Sequence, residues 1–144
     1  MKTTFINYNI FNIEEAEHLA TRGANQKNLF IFLSEKEAET ASLVELLSKI
    51  LAAIKYDLET DALMLLQTNN EPISLSKLCQ TSEKRSVLVF GYEPKQLGIY
   101  ANMKKYVFFE IQDTHYLFCD NLSLIENQKD LKMALWEALK KRFL

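Results

Sequence analysis

Short uninterrupted apolar runs alternate along the chain with stretches in which apolar residues recur every three or four positions. Leu29-Phe30-Ile31-Phe32-Leu33 is such a run, and its length and aromatic content predict a strand buried on both faces. Ala62-Leu63-Met64-Leu65-Leu66 and Val87-Leu88-Val89-Phe90, the latter closed by Gly91, predict two more. A charged loop from Ser34 to Thr40 leads from the first run into a helix. Leu43, Leu47, Ile50, Leu51 and Ile54 recur there at helical spacing, and Ser42 with Glu45 forms a capping-box pattern. Past a turn at Asn69-Asn70-Glu71-Pro72, a short element spans Ile73 to Cys79. Tyr106-Val107-Phe108-Phe109 and Tyr116-Leu117-Phe118-Cys119 flank the polar Gln112-Asp113-Thr114, as a hairpin or as two strands with separate roles. The final amphipathic helix starts at about Gln128, with Leu131, Leu135, Ala138, Leu139 and Arg142 on one stripe. Asn127 is its expected cap, and Lys140-Lys141-Arg142 suits the negative end of the helix dipole.

Strand, helix, strand, short helix, strand is the grammar of a parallel sheet carrying helices. Residues 1 to 27 read differently: Phe5, Ile6, Tyr8, Ile10 and Phe11 are scattered through Asn and Thr, ahead of the acidic Glu14-Glu15-Ala16-Glu17. This segment is either an edge element of the sheet or an arm that docks on a partner. The chain's 144 residues suit a single α/β domain with its own core. A net charge of −2 gives no global attraction to nucleic acid or to an anionic membrane, so at most weak nucleic-acid contact and no membrane partner are expected. No basic leader stands at the start and no apolar run approaches the ~20 residues of a membrane span, so the expected compartment is the cytoplasm. Cys79 and Cys119 lie in apolar runs and are expected to pack rather than react.

Candidate chemistry is sparse. The three glycines, at 23, 91 and 98, are isolated, so neither a dinucleotide fingerprint nor a phosphate loop can be written on this chain. His18 and His115 make no metal-ligand spacing with other histidines or cysteines; Asp113 and His115 are a chance pair at best. A Cys119–His115 nucleophile pair is disfavoured because an apolar setting opposes the thiolate. Glu14, Glu15 and Glu17 read as a solvated helix start, and Lys104-Lys105-Tyr106 as a solvated basic cluster. Trp136 reads as a core residue. No cofactor and no catalytic residue is expected.

Three segments resemble the uracil-DNA glycosylase-like fold. Val87-Leu88-Val89-Phe90-Gly91 followed by Glu93-Pro94-Lys95-Gln96-Leu97-Gly98 is similar to that family's central strand, which ends in Gly and enters a short helix. Asp120-Asn121-Leu122-Ser123-Leu124 stands where those enzymes carry a late His-Pro-Ser loop. Lys132-Met133-Ala134-Leu135-Trp136-Glu137-Ala138-Leu139-Lys140 is similar to the closing helix. The match runs over residues 28 to 143. It implies a three-layer α/β/α sandwich on a mostly parallel four-stranded sheet of order 2-1-3-4. The enzymes' water-handling Asp or Glu sits near Gly and Pro, whereas Ser34-Glu35-Lys36-Glu37-Ala38-Glu39-Thr40 has neither, and the late loop lacks its His. The resemblance therefore points to a catalytically silent member, the psi subunit family of bacterial DNA polymerase III. In that family an N-terminal segment contacts the clamp loader and the body contacts the chi subunit. By that likeness Phe5, Ile6, Tyr8, Ile10 and Phe11 are partner-docking anchors. Two other readings stand beside it: an α/β interaction module of unknown pathway, and an unrecognised enzyme, which a cleft holding Asp113, His115 or Glu35 with perturbed pKa values would favour.

Overall fold

In a computed structural model the described residues are 19–67, 85–99, 103–111 and 113–144. The N-terminal anchors Phe5, Ile6, Tyr8, Ile10 and Phe11 lie outside them, as do Glu14, Glu15, Glu17, His18, Cys79 and the element expected at 73–79.

The apolar runs become parallel strands of one sheet: β2 (Leu29–Ser34), β3 (Ala62–Gln67), β4 (Arg85–Phe90) and β6 (Thr114–Cys119). Two short antiparallel strands widen it to six. β1 (Leu19–Arg22) pairs with β3, and β5 (Phe109–Ile111) pairs with β6. The order is β1-β3-β2-β4-β6-β5, so the sheet has six strands rather than the four expected. The segment from Tyr106 to Cys119 thus takes the hairpin form, with Asp113 at φ 66° in its turn. Four α-helices occur among the described residues: α1 (Glu35–Ala38), α2 (Ala41–Ala53), α3 (Leu122–Asn127) and α4 (Lys129–Phe143).

A strand covered on both sides is apolar through its middle, because successive side chains point to opposite faces, and its buried polar residues, Gln67, Arg85, Ser86 and Thr114, stand at strand ends. Leu29, Ile31 and Leu33 enter one core with Met64, Leu88, Phe90 and Leu117, and Phe30 and Phe32 enter the other with Leu65, Val87, Val89 and Phe118. All four helices contribute buried residues to the first core; Leu47, Leu51, Leu122, Leu135 and Leu139 are at most 1 % exposed. Among the described residues no α-helix reaches the second core, where Leu97 and Ile99 pack after the 3-10 turn Pro94–Leu97. Each large side chain so buried stabilises the fold by about 1.5–3 kcal/mol before chain entropy is counted.

Local start signals fall differently from the sequence pattern. α2 begins at Ala41 behind Thr40, whose hydroxyl donates to the Lys36 carbonyl at 3.0 Å, so the Ser42–Glu45 box is not its cap. The charged segment after β2 is not a loop throughout. Ser34 Oγ accepts from Glu37 N at 3.2 Å and nucleates one helical turn. Asn127 does not cap the last helix; it closes α3, its Nδ2 donating to Ser123 O at 3.0 Å, and Gln128 precedes α4. Trp136 is half-buried against the first core, with Lys140 Nζ 5.6 Å from its ring. Gly23 is needed where it stands: at φ 114° its missing Cβ would lie 2.2 Å from Ala62 O. That proximity lets residues 24–27 run beside 59–62, with Ala24 N to Glu59 O at 2.8 Å and Lys27 N to Asp61 O at 3.0 Å.

Candidate functional site

The order of the parallel strands reverses between β2 and β4, since β3 flanks β2 on one side and β4 on the other. In open α/β sheets the crevice beyond the carboxyl ends at such a point is the usual place for ligands. A cavity of about 350 Å³ lies there, bounded by Ser34, Lys36, Glu37, Thr40, Phe90, Gly91, Tyr92, Asn121 and Ser123. Three strand ends supply these residues, so the sheet itself fixes their spacing.

Glu37 is the one carboxylate of this lining, and it is buried. Its Oε1 accepts from Leu122 N at 3.2 Å; its Oε2 accepts from Ser123 N at 3.0 Å and from Ser123 Oγ at 3.1 Å. The side chain of a residue just after β2 therefore caps the first turn of α3, 85 residues further on. Asn121 completes the cap, accepting from Leu124 N at 2.9 Å. Three of roughly four acceptor positions on the Glu37 carboxylate are taken by donors of the protein itself. A general base needs its oxygen turned toward a substrate or water proton, and here the oxygens face backbone amides. Tyr92 packs edge-on against Phe32, ring centroids 5.1 Å apart. Burial, with the negative charge of Glu37 nearby, pushes its phenol above the ordinary value. It remains a neutral hydroxyl at physiological pH. Gly91, at φ 86°, approaches Asn121 so closely that an added Cβ would sit 3.0 Å from the Asn121 Cβ.

Asp120, at the end of β6, makes a second clamp. Its Oδ1 accepts from Lys105 Nζ and its Oδ2 from Tyr106 OH, both at 2.8 Å. Tyr106 N also donates to Phe118 O at 2.9 Å, which places Tyr106 at φ 65°. The Lys105 hydrogen bond is the main cause holding the Asp120 carboxyl below the ordinary carboxylate range. Burial and the Asp120 partner push the Tyr106 phenol well up, and the same partner raises Lys105. Lys105 and Tyr106, read from the sequence as a solvated basic cluster, instead fasten the segment before β5 to the end of β6.

The remaining residues singled out in the sequence do not converge. Cys119 is a buried free thiol, and burial pushes its ionisation up. His115 precedes it by four strand positions, roughly 13 Å at strand rise, so the two make no nucleophile pair. Asp113 sits in the hairpin turn rather than on the strand with His115, whose Nε2 is 4.0 Å from Glu110 on β5. Glu35 opens α1 and is not part of the cavity lining. Among the described residues no group of three or more His, Cys, Asp or Glu is placed to hold a metal ion. No helix among them is long and apolar enough to cross a membrane.

Glu37 was the residue that sequence reasoning passed over. Ser34-Glu35-Lys36-Glu37 carries the Ser-x-x-Glu signature of a helix start, which marks the local turn; the distant partner on α3 leaves no trace in the sequence. Arg142, read as part of the helix's apolar stripe and as matched to its dipole, donates from Nε to Ser86 Oγ at 3.1 Å, and its guanidinium lies over Phe108 and Phe143. No protein-family model matches this chain, and no curated protein matches it either.

Proposed function

We propose that this chain is a catalytically silent adaptor of the uracil-DNA glycosylase-like fold, similar to the psi subunit of bacterial DNA polymerase III, bridging the clamp loader and a chi-like subunit in DNA replication. The single observation that carries the non-catalytic part is the commitment of Glu37. The cavity where such a fold would do chemistry has one carboxylate, and it is a helix cap. Two further features favour the fold likeness. Counted among themselves, the four parallel strands stand in the order second, first, third, fourth within the wider sheet. The central strand β4 ends at Gly91 and enters the turn Pro94–Leu97, where Glu93 N donates to Gln96 Oε1 at 2.7 Å. The replication partners rest on the sequence likeness alone, and the docking role of Phe5, Ile6, Tyr8, Ile10 and Phe11 is part of the same reading.

Affinity purification of the tagged chain from its native cells at moderate salt, followed by mass spectrometry, tests this. Clamp-loader subunits are expected among the specific partners. A chain lacking residues 1 to 18 keeps every described strand and is expected to keep its fold while losing that partner. Recovery of the same clamp-loader subunits by the shortened chain would remove the arm from the proposal, and their absence from both purifications would remove replication.

A further inference from the structure

A second cavity, of about 670 Å³, opens on the side of the molecule between α2 and the turn before β3. Its floor is apolar and made of small or medium side chains: Ala38 and Leu58 are nearly buried, and Ala41 and Val44 flank them. Its rim carries Glu39, Glu45, Asp57 and Glu59 against one guanidinium, that of Arg22. Four carboxylates less one cation leave a local excess of three negative charges, while the whole chain carries −2. Four of the chain's nineteen acidic side chains thus meet at this one groove. Lys49, 3.1 Å from Glu45 on the outer side of α2, offsets one charge in part. Asp57 is held rigid, its Oδ1 accepting from Glu59 N at 2.9 Å and Thr60 N at 3.1 Å. Arg22, 3.1 Å from Glu59, closes the β1 side.

An apolar floor ringed by carboxylates complements a side chain with an aliphatic stem and a cationic head. A concave surface of one sign of charge also concentrates oppositely charged partners and speeds their arrival. We infer that this groove docks a lysine- or arginine-bearing segment of a partner protein. The aliphatic stem lies on Val44 and Leu58, and the head meets Glu39, Glu45 and the prepositioned Asp57. The inference deepens the adaptor reading and rests on its premise that the chain works by binding protein. It does not depend on the partner being a clamp loader.

The test uses the full chain and a short fluorescein-labelled peptide in which lysines alternate with leucines and alanines, titrated by fluorescence anisotropy. Two matched probes accompany it, one with glutamate in place of lysine and one with glycine in place of the aliphatic residues. Saturable binding is expected for the lysine–leucine probe, weaker by about tenfold for each matched probe and weakened by added salt. The double reversal Glu39→Lys with Glu45→Lys lowers that affinity by about tenfold or more, and Ala41→Arg, which fills the floor, lowers it by about fivefold. Glu137→Lys on α4 leaves it unchanged. Circular dichroism of each variant separates a lost site from a lost fold, and the two groove variants alter the exposed start of α2 in different ways. Equal binding of the glycine probe, or affinity untouched by the double reversal in a folded protein, would overturn the inference. Failure of the wild-type chain to bind the lysine–leucine probe would overturn it as well. A positive titration alongside a purification free of clamp-loader subunits would keep the groove and discard the replication assignment.

Discussion

The two ends of the parallel strands are held together by different physics. At the carboxyl end the ties are carboxylates: Glu37 reaches across from α1 to the amides of α3, and Asp120 gathers Lys105 and Tyr106. At the amino end rings and cations are added to the carboxylates of the turn before β3, where Asp61 Oδ2 lies 3.5 Å from Lys27 Nζ. Lys27 Nζ stands 4.6 Å from the centre of the Tyr56 ring, Tyr56 meets Phe143 edge-on at 5.2 Å, Phe143 meets Phe108 at 6.0 Å, and Arg142 covers both phenyl rings. In open α/β folds the carboxyl end is where acid–base groups are exposed to ligands. Here the carboxylates Glu37 and Asp120 at that end are taken up by capping and bridging. The difference teaches that the identity of a residue at the right end of a sheet says little about chemistry until its hydrogen-bond partners are counted.

The comparison breaks most readily at Glu37. Glu37→Ala leaves the Leu122 and Ser123 amides without their acceptor in a buried setting, and is expected to cost about 3 kcal/mol of unfolding free energy. Urea denaturation measures this, and hydrogen exchange locates it, with faster exchange in α3 than in α2. Glu37→Gln recovers only part of the loss, since its amide group turns a donor toward a donor. A loss below about 0.5 kcal/mol would mean that the carboxylate is spare after all, and an acid–base role in the cavity would return to consideration.

At the other end Phe143→Ala removes the ring at the centre of the aromatic–cation series. The expected cost is about 2 kcal/mol, because the side chain is half-buried and gives up two edge-to-face contacts. The loss should be the same at pH 4 and pH 7, because a phenyl ring carries no proton to titrate. A strong dependence on pH would show that the ends are not held by distinct means.

How much of this was legible in the sequence follows the same division. β2, β3 and β4 were readable because a strand covered on both faces is an unbroken apolar run through its middle, with polar residues only at its ends. The period of α2 and the stripe of α4 were readable because each lays one face on the first core. β1 was not, since Leu19-Ala20-Thr21-Arg22 has no apolar run and its pairing is dictated by β3. α1 and α3 span only four and six residues and owe their existence to caps rather than to periodicity. The Ser34 cap could have been read locally. The Glu37 cap on α3 could not, because its two halves are 85 residues apart. The site was hidden for that reason: its decisive fact is a tertiary hydrogen bond.

The smallest expected effect is also the most diagnostic. Asp120→Asn removes the charge that Lys105 and Tyr106 share, with an expected cost of about 1.5 kcal/mol at neutral pH, moderated because Lys105 is half-exposed. The folded-state pKa of Asp120 is depressed. The stabilisation from its ionised form is therefore complete above the unfolded-state value of about 4, and is lost as pH falls through the depressed folded value. Lys105 and Tyr106 are shifted upward, so their contribution is complete below about pH 10 and fades as pH rises through their folded values. Wild type should therefore exceed Asp120→Asn by a constant margin between about pH 5 and 9, and the margin should shrink on both sides. Thermal or urea unfolding of the two proteins across that range measures it. A margin that persists undiminished at pH 2 would mean that Asp120 acts through shape rather than charge, and the carboxyl end would then resemble the amino end in the forces that hold it.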